Sequence, residues 1–171
     1  MKETWIVAKD REKLEKLLRR RYIVPGICYN TVPRFPIPKG SDDIRVVWDL
    51  AKNGLNKQMY TPSFFLATLG TYVRRIEAGV YGGDFNIGEQ FHNYILHETE
   101  QVYCGVEIPQ DLVESLRAEG VTVDRLMRWN RLVFGWQSSP YLALRMLARA
   151  KNGPRVTPRK SRMLLVGLVS H

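Results

Sequence analysis

Leu14, Leu17 and Leu18 recur at helical spacing in residues 10–22, a stretch otherwise made of Lys, Arg and Glu. The pattern predicts an amphipathic helix capped by Asp10 and ended by Pro25-Gly26. Pro33, Pro36 and Pro38 then hold the chain extended. Lys39-Gly40-Ser41-Asp42-Asp43 has turn chemistry, and residues 44–50 are short, apolar and β-branched, as a strand requires. A hairpin with Lys39 and Arg45 near its tip follows. Thr61-Pro62 should open a helix carrying Phe64, Phe65, Leu69, Tyr72, Val73 and Ile76 to a stop at Gly79. Residues 80–87 read as a buried strand weakened by Gly82-Gly83, 89–96 as a short helix, and 101–108 as a strand. Pro109 and Asp111 open a helix that Gly120 closes, and 132–134 read as a short strand. Ser138 or Ser139 caps a last helix, with Pro140 in its first turn, running to about Lys151 and ended by Asn152-Gly153-Pro154. Residues 163–171 are apolar but continue no pattern. They are either an out-of-frame or spliced tail or a strand lacking its partners. Helices alternating with strands make the chain α+β.

The 171 residues suit one core of ordinary size. No apolar run approaches the roughly 20 residues that span a bilayer. The opening Met-Lys-Glu-Thr-Trp lacks the character of a secretory signal. The expectation is therefore an intracellular chain with no membrane partner. Cys28 and Cys104 lie far apart without companions at ligand spacing, which argues against a zinc site. The net charge of +9 changes the picture most, because it is compatible with a polyanion such as nucleic acid. Its distribution is uneven. Arg149, Lys151, Arg155, Arg159, Lys160 and Arg162 crowd residues 149–162 without an acid. That stretch is either a nucleic-acid contact or a solvated tail.

Four stretches carry a resemblance. Val32-Pro33-Arg34 through Lys39 followed by Arg45-Val46-Val47-Trp48-Asp49 is similar to a Pro-x-x-Lys and Arg-x-Val-x-Asp segment. Leu55-Asn56 is similar to the Leu-Asn that closes it, displaced by a small insertion. Residues 86–97 resemble Asp-Leu-Lys-x-Gly-Tyr-x-x-Ile-Pro-Leu-His, and 134–140 resemble Phe-Gly-Leu-x-Asn-Ala-Pro. Together, in this order, they resemble the fingers and upper palm of retroelement reverse transcriptases, the RNA-directed DNA polymerases. The resemblance implies an incomplete right-hand fold with a mixed or antiparallel sheet and packed helices. It divides the chain into a helical extension (1–30), a fingers and partial palm region (31–150) and a basic tail (151–171). It also implies Mg²⁺, deoxynucleotides, an RNA or DNA template-primer, and a carboxy-terminal polymerase portion as partners.

By the same resemblance, Lys39 and Arg45 grip the triphosphate, Phe91 is the aromatic gate beneath the incoming sugar, and Gly135, Gln137, Ser138 and Pro140 frame the templating base. Read without it, Lys39 and Arg45 are solvated hairpin charges, Phe91 is the buried side of a short helix, and Ser138 an ordinary cap. Trp48, Trp129 and Trp136 could stack on bases, but each sits in an apolar run and reads as core. His92 and His97, five residues apart, make a poor pair of ligands on one helix face. The departures concern catalysis. Asn86 stands where the family has a metal-binding aspartate, and an amide brings no charge to Mg²⁺. Asp84 shares that face of a strand but lies nearly 7 Å along at about 3.3 Å per residue. From Arg125 to His171 there is no Asp or Glu, so the family's Tyr/Phe-x-Asp-Asp is absent. The chain by itself is expected to be inactive.

Overall fold

A computed structural model describes residues 2–65, 70, 73–74, 81–85, 87–151 and 163–167. Among them the strands are β1 (Ile23–Pro25), β2 (Arg34–Lys39), β3 (Asp43–Trp48), β4 (Tyr81–Phe85), β5 (Gly105–Glu107), β6 (Leu126–Trp129) and β7 (Met163–Gly167). The helices are α1 (Lys2–Arg19), α2 (Leu55–Gln58), α3 (Glu98–Gln101), α4 (Gln110–Ala118) and α5 (Ser139–Lys151), with a 3₁₀ turn at Gln90–Asn93. The chain is α+β, with small antiparallel sheets and one parallel pair.

Helix α1 begins well before Asp10. The carboxylate of Asp10 caps nothing and instead pairs with Arg34 at 3.1 Å, a partner 24 residues away that no local pattern reveals. The helix stops where Arg21 takes φ 55°, a left-handed residue that ends helical bonding. Leu14 and Leu18 go into the core, and exposed ion pairs from Arg11 to Asp111 and Arg19 to Glu119 tie α1 to α4 and the residue beyond it. Exposed pairs of this kind add little stability. The apolar face therefore docks the helix.

The predicted hairpin forms. Strands β2 and β3 pair antiparallel, with Lys39 opposite Asp43 and Ile37 opposite Arg45. Side chains alternate across the pleat. Ile44 and Trp48 are buried on the α1 side, whereas Phe35, Ile37, Lys39 and Arg45 share the open face. Pro36 and Pro38 sit across from Val46 and Ile44. Strand β6 is the centre of a second sheet, ordered β1-β6-β5. Its Met127 and Trp129 are fully buried among Ile23, Val106, Leu112 and Leu116. Residues of 1–30 thus pack into the same core as those of 31–150.

Several expectations change. Residues 101–104 do not extend a strand, because Gln101 ends α3 and its side chain donates to the Leu96 carbonyl at 2.7 Å. The expected helix at 89–96 is only the 3₁₀ turn. The expected strand at 132–134 is a loop whose polar groups are used across the fold: Leu132 N–H donates to Tyr94 O at 3.0 Å, and Ser139 Oγ to Val133 O at 2.6 Å. Residues 61–65 are not helical, and most of the helix expected beyond them lies outside the described residues. Strand β4 forms within 80–87 and pairs in parallel with β7, so the apolar residues 163–167 are a strand with a partner. Helices α4 and α5 follow the predicted spans closely.

Candidate functional site

Three distant stretches meet around Asn56. Asn53 sets up the approach, since its Oδ1 accepts from Leu55 N at 3.1 Å and its Nδ2 donates to Thr31 O at 3.1 Å. This fixes α2 beside the base of the hairpin. The Asn56 carboxamide then spans the segment 135–137. Its Nδ2 donates to Gly135 O at 2.9 Å, and its Oδ1 accepts from Gln137 N at 3.0 Å. An amide offers a donor and an acceptor side by side, which suits an extended backbone lying across it.

Gly135 has φ 91°, and a Cβ there would lie 2.4 Å from the carbonyl oxygen of Trp48. The residue type is dictated by that backbone conformation and by the approach of β3. Trp136 is buried with its indole N–H directed at the Met59 sulfur. Ser138 immediately precedes α5, but its buried hydroxyl is shared with Thr61 Oγ1 at 3.0 Å. Gln137 and Pro140 are exposed. The expected base-framing segment is thus tied down by hydrogen bonds, with Ser138 turned inward and Gly135, Gln137 and Pro140 exposed.

Phe91 is buried on the 3₁₀ turn, with its ring 4.6 Å from that of Phe134. Beside it His92 stacks on Trp129 at 5.2 Å and meets Phe134 edge-on at 5.0 Å. Trp129 in turn meets Trp48 edge-on at 5.0 Å. Trp48, Trp129 and Trp136 are all core, so none of them is a stacking surface for bases. Both ring nitrogens of His92 are buried without a hydrogen-bond partner among the described residues. Burial pushes its pKa down to about 4, helped by Arg131 and Arg20 and opposed by Glu89. The unfolded imidazole binds a proton near pH 6.5. The folded one resists it, so this contribution to stability is complete above pH 6.5 and is lost as pH falls through about 4. Urea midpoints should drop across that window, and the His92→Leu variant should show a shallower drop.

Lys39 and Arg45 stand on the same exposed face of the hairpin. Asp43, directly opposite Lys39, is taken by Lys13 at 2.8 Å, and that hydrogen bond holds its carboxyl below the usual carboxylate range. Among the described residues neither Lys39 nor Arg45 forms an ion pair. Arg149 is exposed near the end of α5, and Lys151 is its last residue. Asp84 lies on β4 opposite Val166. Asn86, Arg155, Arg159, Lys160 and Arg162 lie outside the described residues. Cys28 and Cys104 are free thiols. No helix among the described residues is long and apolar enough to cross a membrane.

The geometry therefore brings the base of the hairpin at Trp48 together with Asn56, Phe91 and residues 134–138, whereas Lys39 and Arg45 stand towards the hairpin tip and, among the described residues, make no contact with that cluster. Local sequence gave no sign of the Asn56 bridge or of the Ser138–Thr61 contact, because each joins residues more than seventy positions apart. No protein-family model matches the chain, and no curated protein matches it.

Proposed function

We propose that this chain is the fingers and partial palm of a retroelement RNA-directed DNA polymerase, without polymerase activity of its own. What supports the reading is the Asn56 bridge. Two of the stretches that resemble the family, 55–56 and 134–140, lie far apart in sequence yet interlock through one carboxamide, against a third at Trp48. In the ancestral reaction a primer 3′-hydroxyl attacks the α-phosphate of a deoxynucleotide and pyrophosphate leaves. Lys39 and Arg45 would hold the triphosphate by charge and hydrogen bonding. Phe91 is buried against Phe134 and would gate the sugar only if its ring were uncovered, and the backbone of 135–137 would frame the base pair. The donor set does not fit a pair of catalytic Mg²⁺ ions. Asn86 is neutral, and no acid follows Asp124 to supply the further carboxylates. Primer extension on a primed RNA template with Mg²⁺ should give no product above a no-enzyme control, and product would overturn the inactivity. Coding sequence downstream of His171 should contain a Tyr/Phe-x-Asp-Asp; if it does not, the reading as part of a polymerase fails.

A second reading, a non-catalytic nucleic-acid-binding protein that kept the fold, is favoured by Lys39 and Arg45 on one open hairpin face, neither of them in an ion pair among the described residues. Fluorescence anisotropy with labelled RNA and DNA should show binding that weakens steeply with salt, as counterion release demands. Lys39→Ala with Arg45→Ala should reduce the salt slope by roughly two. Binding that ignores salt, or a slope unchanged in the double variant, would exclude this use of the hairpin.

A further inference from the structure

One carboxylate fastens the turn that carries Phe91 to helix α1 and the residues just after it. Glu89 Oε2 accepts from Arg20 Nη1 at 2.5 Å and from the Tyr22 hydroxyl at 3.4 Å, and Oε1 lies 3.8 Å from Lys16 Nζ. Among the described ion pairs no other carboxylate engages two cations. The guanidiniums of Arg20 and Arg131 stand 5.9 and 5.5 Å from the centre of the same Tyr22 ring. Arg131 forms no ion pair among the described residues, so Glu89 is the only carboxylate there that pairs with Lys16, Arg20 or Arg131.

Glu89 also has φ 51°, a left-handed conformation uncommon for a residue of its type. Such backbone persists only where contacts hold it, and the side-chain contacts of Glu89 are with Lys16, Arg20 and Tyr22. An exposed ion-pair cluster and a strained residue carry energies of one order, so losing the first leaves the second unopposed. Gly88 has no atom within 4 Å of where a Cβ would lie, which leaves the chain room to move there. The ring beside Phe91 is that of Phe134, itself 39% exposed. Ammonium, guanidinium and phenol donors that hold a carboxylate suit a phosphate equally. Without Glu89, three cations would have no carboxylate partner among the described residues, and a phosphate supplies the missing charge.

We propose that Lys16, Arg20, Tyr22 and Arg131 form a phosphate-binding site that Glu89 occupies from within, and that phosphate displaces Glu89 and releases the turn covering Phe91. The use of this release to uncover a sugar gate rests on the polymerase reading; the site and the release do not. Hydrogen exchange of the full chain, read by mass spectrometry, tests it without any polymerase assay. The amides of His92 and Tyr94 report the turn, because they donate to Glu89 O and Phe91 O at 2.9 and 3.1 Å. Inorganic tripolyphosphate should speed their exchange by roughly threefold over sodium chloride of equal ionic strength, the scale of an exposed ion pair. Peptides from α4 and β6 should not change. Glu89→Gln should exchange fast without the anion, and Arg20→Gln should be fast and unresponsive to it. Calorimetry should show Glu89→Gln binding tripolyphosphate more tightly than the wild type, since no internal competitor must leave. Glu119→Gln, which removes an equal charge from the Arg19 pair, should not. An abasic oligonucleotide in place of tripolyphosphate separates a nucleic-acid backbone from a free polyphosphate, and release by either supports the site. Exchange unchanged by both anions would overturn the proposal, as would a response that survives Arg20→Gln, equal tightening in Glu119→Gln, or release that spreads to α4 and β6.

Discussion

Gly135→Ala is expected to destabilise the fold by about 3 kcal/mol, measured as the shift of the urea midpoint at constant slope. Two costs combine. A residue with a side chain held at φ 91° is strained, and the added methyl would meet the Trp48 carbonyl oxygen at 2.4 Å. That oxygen belongs to the backbone of β3 and cannot rotate away as a flexible side chain would. Gly120 provides the matched comparison. It has φ 79°, but no atom lies within 4 Å of where its Cβ would be. Gly120→Ala should cost only the conformational part, about 1 kcal/mol. The difference between the two isolates the steric part. Equal costs would mean that β3 yields freely to residue 135. Relief of the clash must pull residues 135–137 from Asn56, so the variant should also lose the coupling of the hairpin to the start of α5.

Trp129→Ala should cost about 3–5 kcal/mol, the range for removing a large aromatic from a core. Trp129 has no exposed surface, ends the central strand of its sheet, and carries His92 on one face with Trp48 at its edge. Its indole nitrogen is buried without a partner among the described residues. Trp129→Phe removes that unsatisfied donor while keeping an aromatic body, so it should cost less than half as much as alanine. If phenylalanine costs as much as alanine, the indole makes a specific contribution beyond packing. The His92 titration should change in step with these variants, because Trp129 forms part of the cover that keeps the imidazole neutral.

The elements most legible in the sequence are those whose signals are local. The hairpin at 34–48 announces itself through prolines, turn residues and β-branched positions. Helices α4 and α5 announce themselves through proline or serine at the start and apolar spacing thereafter. Strand β6 leaves little trace in the sequence, because Leu126-Met127-Arg128-Trp129 is too short for its two-residue alternation to register, although Met127 and Trp129 obey it. Asp10 has the residue type of a cap, but a carboxylate can equally partner a distant guanidinium, and only the tertiary fold selects Arg34. Residues 132–134 have the composition of a strand, but their backbone is divided between Tyr94 and Ser139 and never forms a ladder. In the candidate site, the residue types of 55–56 and 134–140 drew notice from the sequence. The carboxamide that joins them is a long-range contact, and pattern carries no information about which distant backbone an asparagine will meet. Phe91 illustrates the same limit. Its apolar character predicts burial, but its neighbour Phe134 is supplied by another part of the chain.

The two prolines of β2 have a consequence for how the molecule meets its surroundings. Amide hydrogens alternate in direction along a strand, and a proline can occupy only the positions whose hydrogen would point away from the partner strand. Pro36 and Pro38 therefore fill the outward positions of β2, leaving its free rim with carbonyl acceptors but no donors between Phe35 and Lys39. An incoming strand cannot build a continuous ladder on such a rim. A hairpin bearing the exposed Phe35 and Ile37 would otherwise be an aggregation hazard. The prolines let that arm display its apolar and basic side chains in crowded solution without its β2 rim nucleating intermolecular sheet.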